Sequence, residues 1–167
     1  MLASSPGSAY LPGQRRVVQF GGADPVAFSN FADTWDYSRS LVIGVGCAGS
    51  NGTPTLRASA GPRLGQNYVQ TVDNLNASVP VAVQVLSLTQ LAPTPLAGIG
   101  MPGCTAYIAP DLLVTVGAAA GSASSTLGIP NTVGLTGLSL FAQVLSLDPV
   151  NAAGLTVSNA LDGRIGS

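Results

Sequence analysis

The chain has 167 residues, 46% of them hydrophobic and only 8% charged, with six basic residues against seven acidic ones and a formal net charge of −1. Every basic residue is Arg and every acidic one is Asp; Lys, Glu and His are absent. That composition excludes Ser-His-Asp and Cys-His catalysis, zinc sites built on His, P-loops and Schiff-base or pyridoxal chemistry, and it leaves no cationic surface for nucleic acid.

An average soluble domain carries roughly 25% charged residues, so this surface is solvated mostly by Ser, Thr, Asn and Gln. No cofactor is expected. The opening residues, Met1-Leu2-Ala3-Ser4-Ser5-Pro6-Gly7, have neither a basic n-region nor an apolar h-region. A secreted protein of this kind is expected to have its signal upstream of this fragment. No window approaches the ~18 uninterrupted apolar residues of a membrane helix, so membrane insertion is not expected.

Gly (21) and Pro (12) are spaced so that few windows allow three unbroken helical turns. Between them lie short stretches rich in Val, Leu, Ile and Thr, the strand pattern. In chain order they are Arg16–Phe20 and residues 40–45, 55–60, 67–74, 80–89, 104–109, 112–117, 122–129, 138–147, 155–159 and 161–165. Many short strands at such intervals predict an all-β chain, an antiparallel β-sandwich of jelly-roll-like kind. Alternation sets Tyr68, Gln70 and Val72 on one face and Val69, Thr71 and Asp73 on the other. Residues 81–88 are apolar on nearly both faces, with Val81, Val83 and Val85 opposite Ala82, Leu86 and Leu88, which predicts a central strand covered on both sides. The run Val83-Gln84-Val85-Leu86-Ser87-Leu88 returns as Ala142-Gln143-Val144-Leu145-Ser146-Leu147, either as equivalent strands of two facing halves or by coincidence of composition.

Cys47 and Cys104 have two readings. In an oxidising compartment they pair and close a loop, stabilising by about 4 kcal/mol through chain entropy; otherwise they are two buried free thiols.

The first forty residues differ from the rest. They contain Trp35, Phe20, Phe28, Phe31, Tyr10 and Tyr37, together with Arg15, Arg16, Asp24, Asp33, Asp36 and Arg39, and from Leu41 such residues thin out. The composition step divides the chain into 1–40 and 41–167. Within the front piece, Arg16-Val17-Val18-Gln19-Phe20-Gly21-Gly22 followed by Asp33-Thr34-Trp35-Asp36-Tyr37 resembles a kelch repeat. The resemblance implies a β-hairpin stub of a propeller, because one repeat cannot bury its own face. Such a stub exposes strand edges, and edges recruit partners, so a homo-oligomer is expected.

Residues 41–167 resemble a C-terminal module of large secreted proteins from planctomycete-type and myxobacterial genomes. The matching stretches are Gly46-Cys47-Ala48-Gly49, Gly52-Thr53-Pro54-Thr55-Leu56, Gly61-Pro62-Arg63-Leu64-Gly65, Met101-Pro102-Gly103-Cys104, Ile129-Pro130-Asn131 and residues 155–165. This resemblance implies an extracellular β-sandwich with Cys47 paired to Cys104, and it brings no activity with it.

Several motifs invite a chemical reading. Gly44-Val45-Gly46-Cys47-Ala48-Gly49 is a literal G-x-G-x-x-G, but a dinucleotide site needs a helix starting at the loop. Here Ser50-Asn51-Gly52-Thr53-Pro54 follows and no helix can begin. Asp33 and Asp36, near Arg39, are the candidate acid/base pair, though residues three apart in a strand point to opposite faces. Asp73, Asn74 and Asn76 are the densest oxygen cluster and the candidate calcium ligands. Asp111, Asp148 and Asp162-Gly163 read as turn residues. Arg57 and Arg63 either meet an anion or solvate an edge strand.

The sequence therefore points to a non-catalytic secreted β-sandwich module at the C-terminus of a larger extracellular protein, with an adhesive, carbohydrate-contacting or structural and assembly role. The alternative is a His-free hydrolase that uses an Asp carboxylate with support from Arg or backbone amides.

Overall fold

The computed structural model describes residues 39–167 throughout and, ahead of them, the strands β1 (Gly7–Leu11), β2 (Arg16–Phe20), β3 (Ala23–Asp24), β4 (Ser29–Asn30) and β5 (Thr34–Asp36). In that front piece β2 pairs antiparallel with both β1 and β5, and β3 pairs with β4. Gly21, Gly22 and Asp33 of the kelch-like motif lie outside the described residues.

Ten further strands follow: β6 (Arg39–Ile43), β7 (Thr55–Ala58), β8 (Asn67–Asp73), β9 (Val81–Ser87), β10 (Gln90–Pro95), β11 (Thr105–Ile108), β12 (Leu112–Ala119), β13 (Ser122–Gly128), β14 (Ser139–Leu147) and β15 (Leu155–Arg164). The described residues contain no α-helix, only two 3-10 turns at Ala97–Ile99 and Val133–Leu135. None is long and apolar enough to cross a membrane.

Eight strands form one antiparallel ladder in the order β6-β15-β14-β9-β12-β13-β8-β7, bent over itself into a sandwich-like, nearly closed shell. Its inner face carries Leu56, Val72, Ala82, Leu86, Ala123, Ala142, Val144 and Leu161, all buried. The alternation expected in β8 holds, with Tyr68, Gln70 and Val72 buried and Val69 exposed. β9 is central as expected: Ala82, Gln84 and Leu86 face inward, and Val85 on the other face packs under Tyr107 and Ile108. That cover comes from a second layer, the β10–β11 hairpin, which lies over β9, β14 and β15.

Three local expectations are corrected. β10, with Pro93 and Pro95, is a strand that the sequence pattern does not include; it pairs only with β11 and its register shifts between Gln90 and Thr94, an edge position where missing N–H groups cost little. Asp162-Gly163 is not a turn, because β15 runs unbroken to Arg164. Gly163 is required by close approach instead, since a Cβ there would meet the Tyr68 hydroxyl at 2.9 Å and the Pro62 ring at 3.2 Å. The repeated hexapeptides do not belong to facing halves: they are adjacent strands, β9 and β14, hydrogen-bonded antiparallel. Gln84 stands opposite Val144 and Gln143 opposite Val85, so the two glutamines emerge on opposite faces of one sheet.

The shell closes through a bulge. In β15, Ser158 and Asn159 together face Val144 alone, between the rungs Gln143↔Ala160 and Leu145↔Val157. A bulge re-aims a side chain, and here it sends Asn159 across to β7. Its Oδ1 accepts the Leu56 N–H at 2.8 Å and its Nδ2 donates to the Leu56 carbonyl at 2.9 Å.

Candidate functional site

Cys47 and Cys104 are bonded, with their Cα atoms 4.7 Å apart, and both are buried beside Met101 and Val157. The Cys47 N–H donates to the Val157 carbonyl at 3.0 Å, so the bond ties the loop after β6 to β15 on one side and to the start of β11 on the other. The glycines of the G-x-G-x-x-G stretch are explained by the same crowding. A Cβ on Gly44, which has φ 61°, would overlap the Tyr107 ring. On Gly46 it would fall 2.8 Å from the Val157 carbonyl, and on Gly49 2.8 Å from Asp148 Oδ2.

Gln143, buried under the second layer, performs a bridging task like that of Asn159. Its Oε1 accepts the Tyr107 N–H at 3.1 Å, and its Nε2 donates to the carbonyls of Thr105 at 2.9 Å and Ser158 at 2.8 Å. Above it opens an apolar cleft of about 250 Å³, lined among others by Leu91, Ile99, Met101, Ile108 and Leu145. A shallower, polar groove of about 520 Å³ lies along Arg63, Gln66, Asn67 and Ser167. Inside the shell, a water-sized space of about 10 Å³ is lined by Gln70, Gln84 and Ser125. Gln84 donates to Gln70 Oε1, while Gln70 Nε2 has no partner within the protein. No aspartate lines any of these three spaces.

Three aspartates, Asp73, Asp111 and Asp148, are engaged elsewhere. Asp73 pairs with Arg57 at 2.6 Å and accepts the Ser122 hydroxyl at 2.9 Å. Arg57 is 65% exposed, so this ion pair on an edge strand contributes well under 1 kcal/mol. Asp111 accepts from the Ser87 hydroxyl at 2.6 Å and the Leu88 N–H at 3.3 Å, tying the end of β9 to the start of β12. Asp148, 1% exposed, accepts the N–H and hydroxyl of Ser50 at 2.8 and 3.0 Å. Of the candidate calcium ligands, Asp73 is engaged as above, Asn74 donates to the Thr53 carbonyl, and Asn76 Oδ1 accepts the Ser78 N–H in a local turn. The three side chains are turned to three different partners.

For the candidate acid/base pair, Asp33 lies outside the described residues and Asp36 sits in β5 opposite Val18. Arg39 begins β6, opposite Arg164 of β15. Sequence reasoning passed over Asp162 in this context. It lies two residues before Arg164, on the same face; its Oδ1 and Arg164 Nε are buried without hydrogen-bond partners.

The burial of Tyr68 links its titration to stability. Its hydroxyl pairs with Ser40 Oγ at 2.8 Å, and burial pushes the phenol above its ordinary value of 10.0; the Ser40 and Gln70 side chains oppose the rise, and the nearby Asp162 carboxylate adds to it. The unfolded phenol ionises near pH 10 while the folded one stays neutral, so this stability is fully present below about pH 10 and is lost as pH rises from there through the folded value. Urea unfolding between pH 8 and 11 is therefore expected to show wild type losing stability above pH 10, and Tyr68→Phe losing less. Parallel curves for the two proteins would contradict this.

Against this geometry, a scan of protein-family models, a search of curated proteins and a search of solved structures each return no match.

Proposed function

We propose that this chain is a non-catalytic β-sandwich module of a secreted protein, with a structural and assembly role. The observation that carries this reading is how the carboxylates are used: Asp73, Asp111 and Asp148 each bind a neighbouring strand or loop, and none lines a described cleft. The disulfide supports an oxidising compartment. Within residues 39–167, Tyr68, Tyr107 and Phe141 are all buried, so that part of the chain offers no aromatic stacking face to a sugar. The expectation that the chain ends a larger extracellular protein and begins with a kelch-like stub belongs to the same proposal.

A hydrolase using an Asp with Arg support is favoured by Asp162 and Arg164, neighbours on one strand face, each with a buried unpartnered atom. A screen of glycosidase, esterase and phosphatase substrates, with glycan binding measured in parallel, separates the two readings. The expected result is no turnover. Turnover that disappears in Asp162→Asn, with folding intact, would establish the hydrolase.

A further inference from the structure

The β12–β13 hairpin turns through Ala120 and Gly121, both left-handed at φ 50° and 79°, as a two-residue type I′ turn requires. Its ladder has only two rungs, Ala118↔Ala123 and Ala119↔Ser122. Beyond them the strands part. β12 follows β9 from Gly117 back to Leu112, and β13 follows β8 from Ala123 to Gly128. Among the described residues, the edge of β12 turned away from β9 has no ladder partner over residues 112–117. The shell is open along this side: Leu112 and Leu113 are 55% and 60% exposed, and Val114, opposite the buried Gln84, is 38% exposed.

An unpaired edge presents a row of N–H and C=O groups, and proteins normally blunt such edges with charge, Pro or bulges. The two outermost strands of the ladder carry charge, Arg39 on β6 and Arg57 on β7. β12 reads Leu-Leu-Val-Thr-Val-Gly-Ala-Ala and β13 Ser-Ala-Ser-Ser-Thr-Leu-Gly, with neither charge nor Pro.

We propose that the β12 edge is the interface for a second copy of this chain, paired edge to edge and antiparallel about a two-fold axis. A second copy fits because an antiparallel edge is its own complement under two-fold rotation. The uncharged strip also brings together two chains of like net charge without placing like charges in contact. The pairing extends β6-β15-β14-β9-β12 into one sheet across both copies and covers Leu112, Leu113 and Val114. It goes beyond the non-catalytic reading and does not depend on it, since an enzyme could dimerise in the same way.

Sedimentation velocity of the full chain over a concentration series tests it. Wild type is expected to form a dimer, and the double variant Leu113→Arg/Thr115→Arg, changed at two exposed positions, is expected to weaken it by about 100-fold or more. Circular dichroism and an intact disulfide establish that the variant folds. Mixing it with Leu113→Asp/Thr115→Asp, itself weakened, is expected to restore a dimer of the two. A wild type that stays monomeric, a dimer indifferent to these changes, or a monomer that instead captures an added extended peptide along β12 would each overturn the proposal.

Discussion

Removing the disulfide with the double variant Cys47→Ala/Cys104→Ala is expected to destabilise the protein by about 4 kcal/mol, the chain-entropy value for a loop of this size. The bonded residues are separated by 57 positions, and the loop spans β7 to β10. In a domain of this length, that loss lowers the melting temperature by roughly 8–16 °C. The variant is preferable to a reductant because both sulfurs are buried and exchange needs access. The physical reason for a large effect is placement: without the bond, the loop after β6 and the hairpin layer are joined to the shell by hydrogen bonds and by packing around Met101 and Val157 alone. Calorimetry checks it, and a variant melting within a few degrees of wild type would mean that the second layer is held independently.

The second large effect is expected at Asn159. Asn159→Ala removes both hydrogen bonds to Leu56, leaving a buried N–H and a buried carbonyl on β7 without partners. Each orphaned group costs about 1–3 kcal/mol, so the substitution is expected to cost about 4 kcal/mol. Hydrogen exchange gives the local readout: the Leu56 amide should lose protection more than amides in the middle of β14. If urea unfolding shows a loss below about 1 kcal/mol, typical of a solvated polar contact, the side chain does not close the shell.

These effects show what can be read from a sequence of this type and what cannot. Strand existence was legible wherever one face is buried and the other wet, as in β8, or where both are covered, as in β9. Local signals failed where a tertiary neighbour decided the outcome. Asp162-Gly163 has turn composition, yet Gly163 is needed because Tyr68 and Pro62 press on the strand. Pro93 and Pro95 look like breakers, yet a strand with one partner tolerates them. Gln143 and Asn159 gave only a faint signal, amides inside apolar strands, and their roles depend on a layer and a bulge that no local pattern announces. The pairing of Cys47 with Cys104 followed from the secreted-module resemblance, whereas the residues alone left thiols and disulfide both open. Asp111 and Asp148 have turn composition, yet their carboxylates reach residues distant in sequence, Ser87 and Ser50.

Asp73, Asp111 and Asp148 hold neighbouring strands and loops together through their carboxylates, and thermal unfolding of Asp73→Asn, Asp111→Asn and Asp148→Asn tests this most directly. Groups held for structure lose stability when altered, whereas catalytic groups are commonly replaced at no loss or even a gain. All three variants are expected to melt below wild type, with Asp148→Asn lowest because its carboxylate is buried and binds both the amide and the hydroxyl of Ser50. A variant that melts at or above the wild-type temperature while abolishing a measurable turnover would contradict the account.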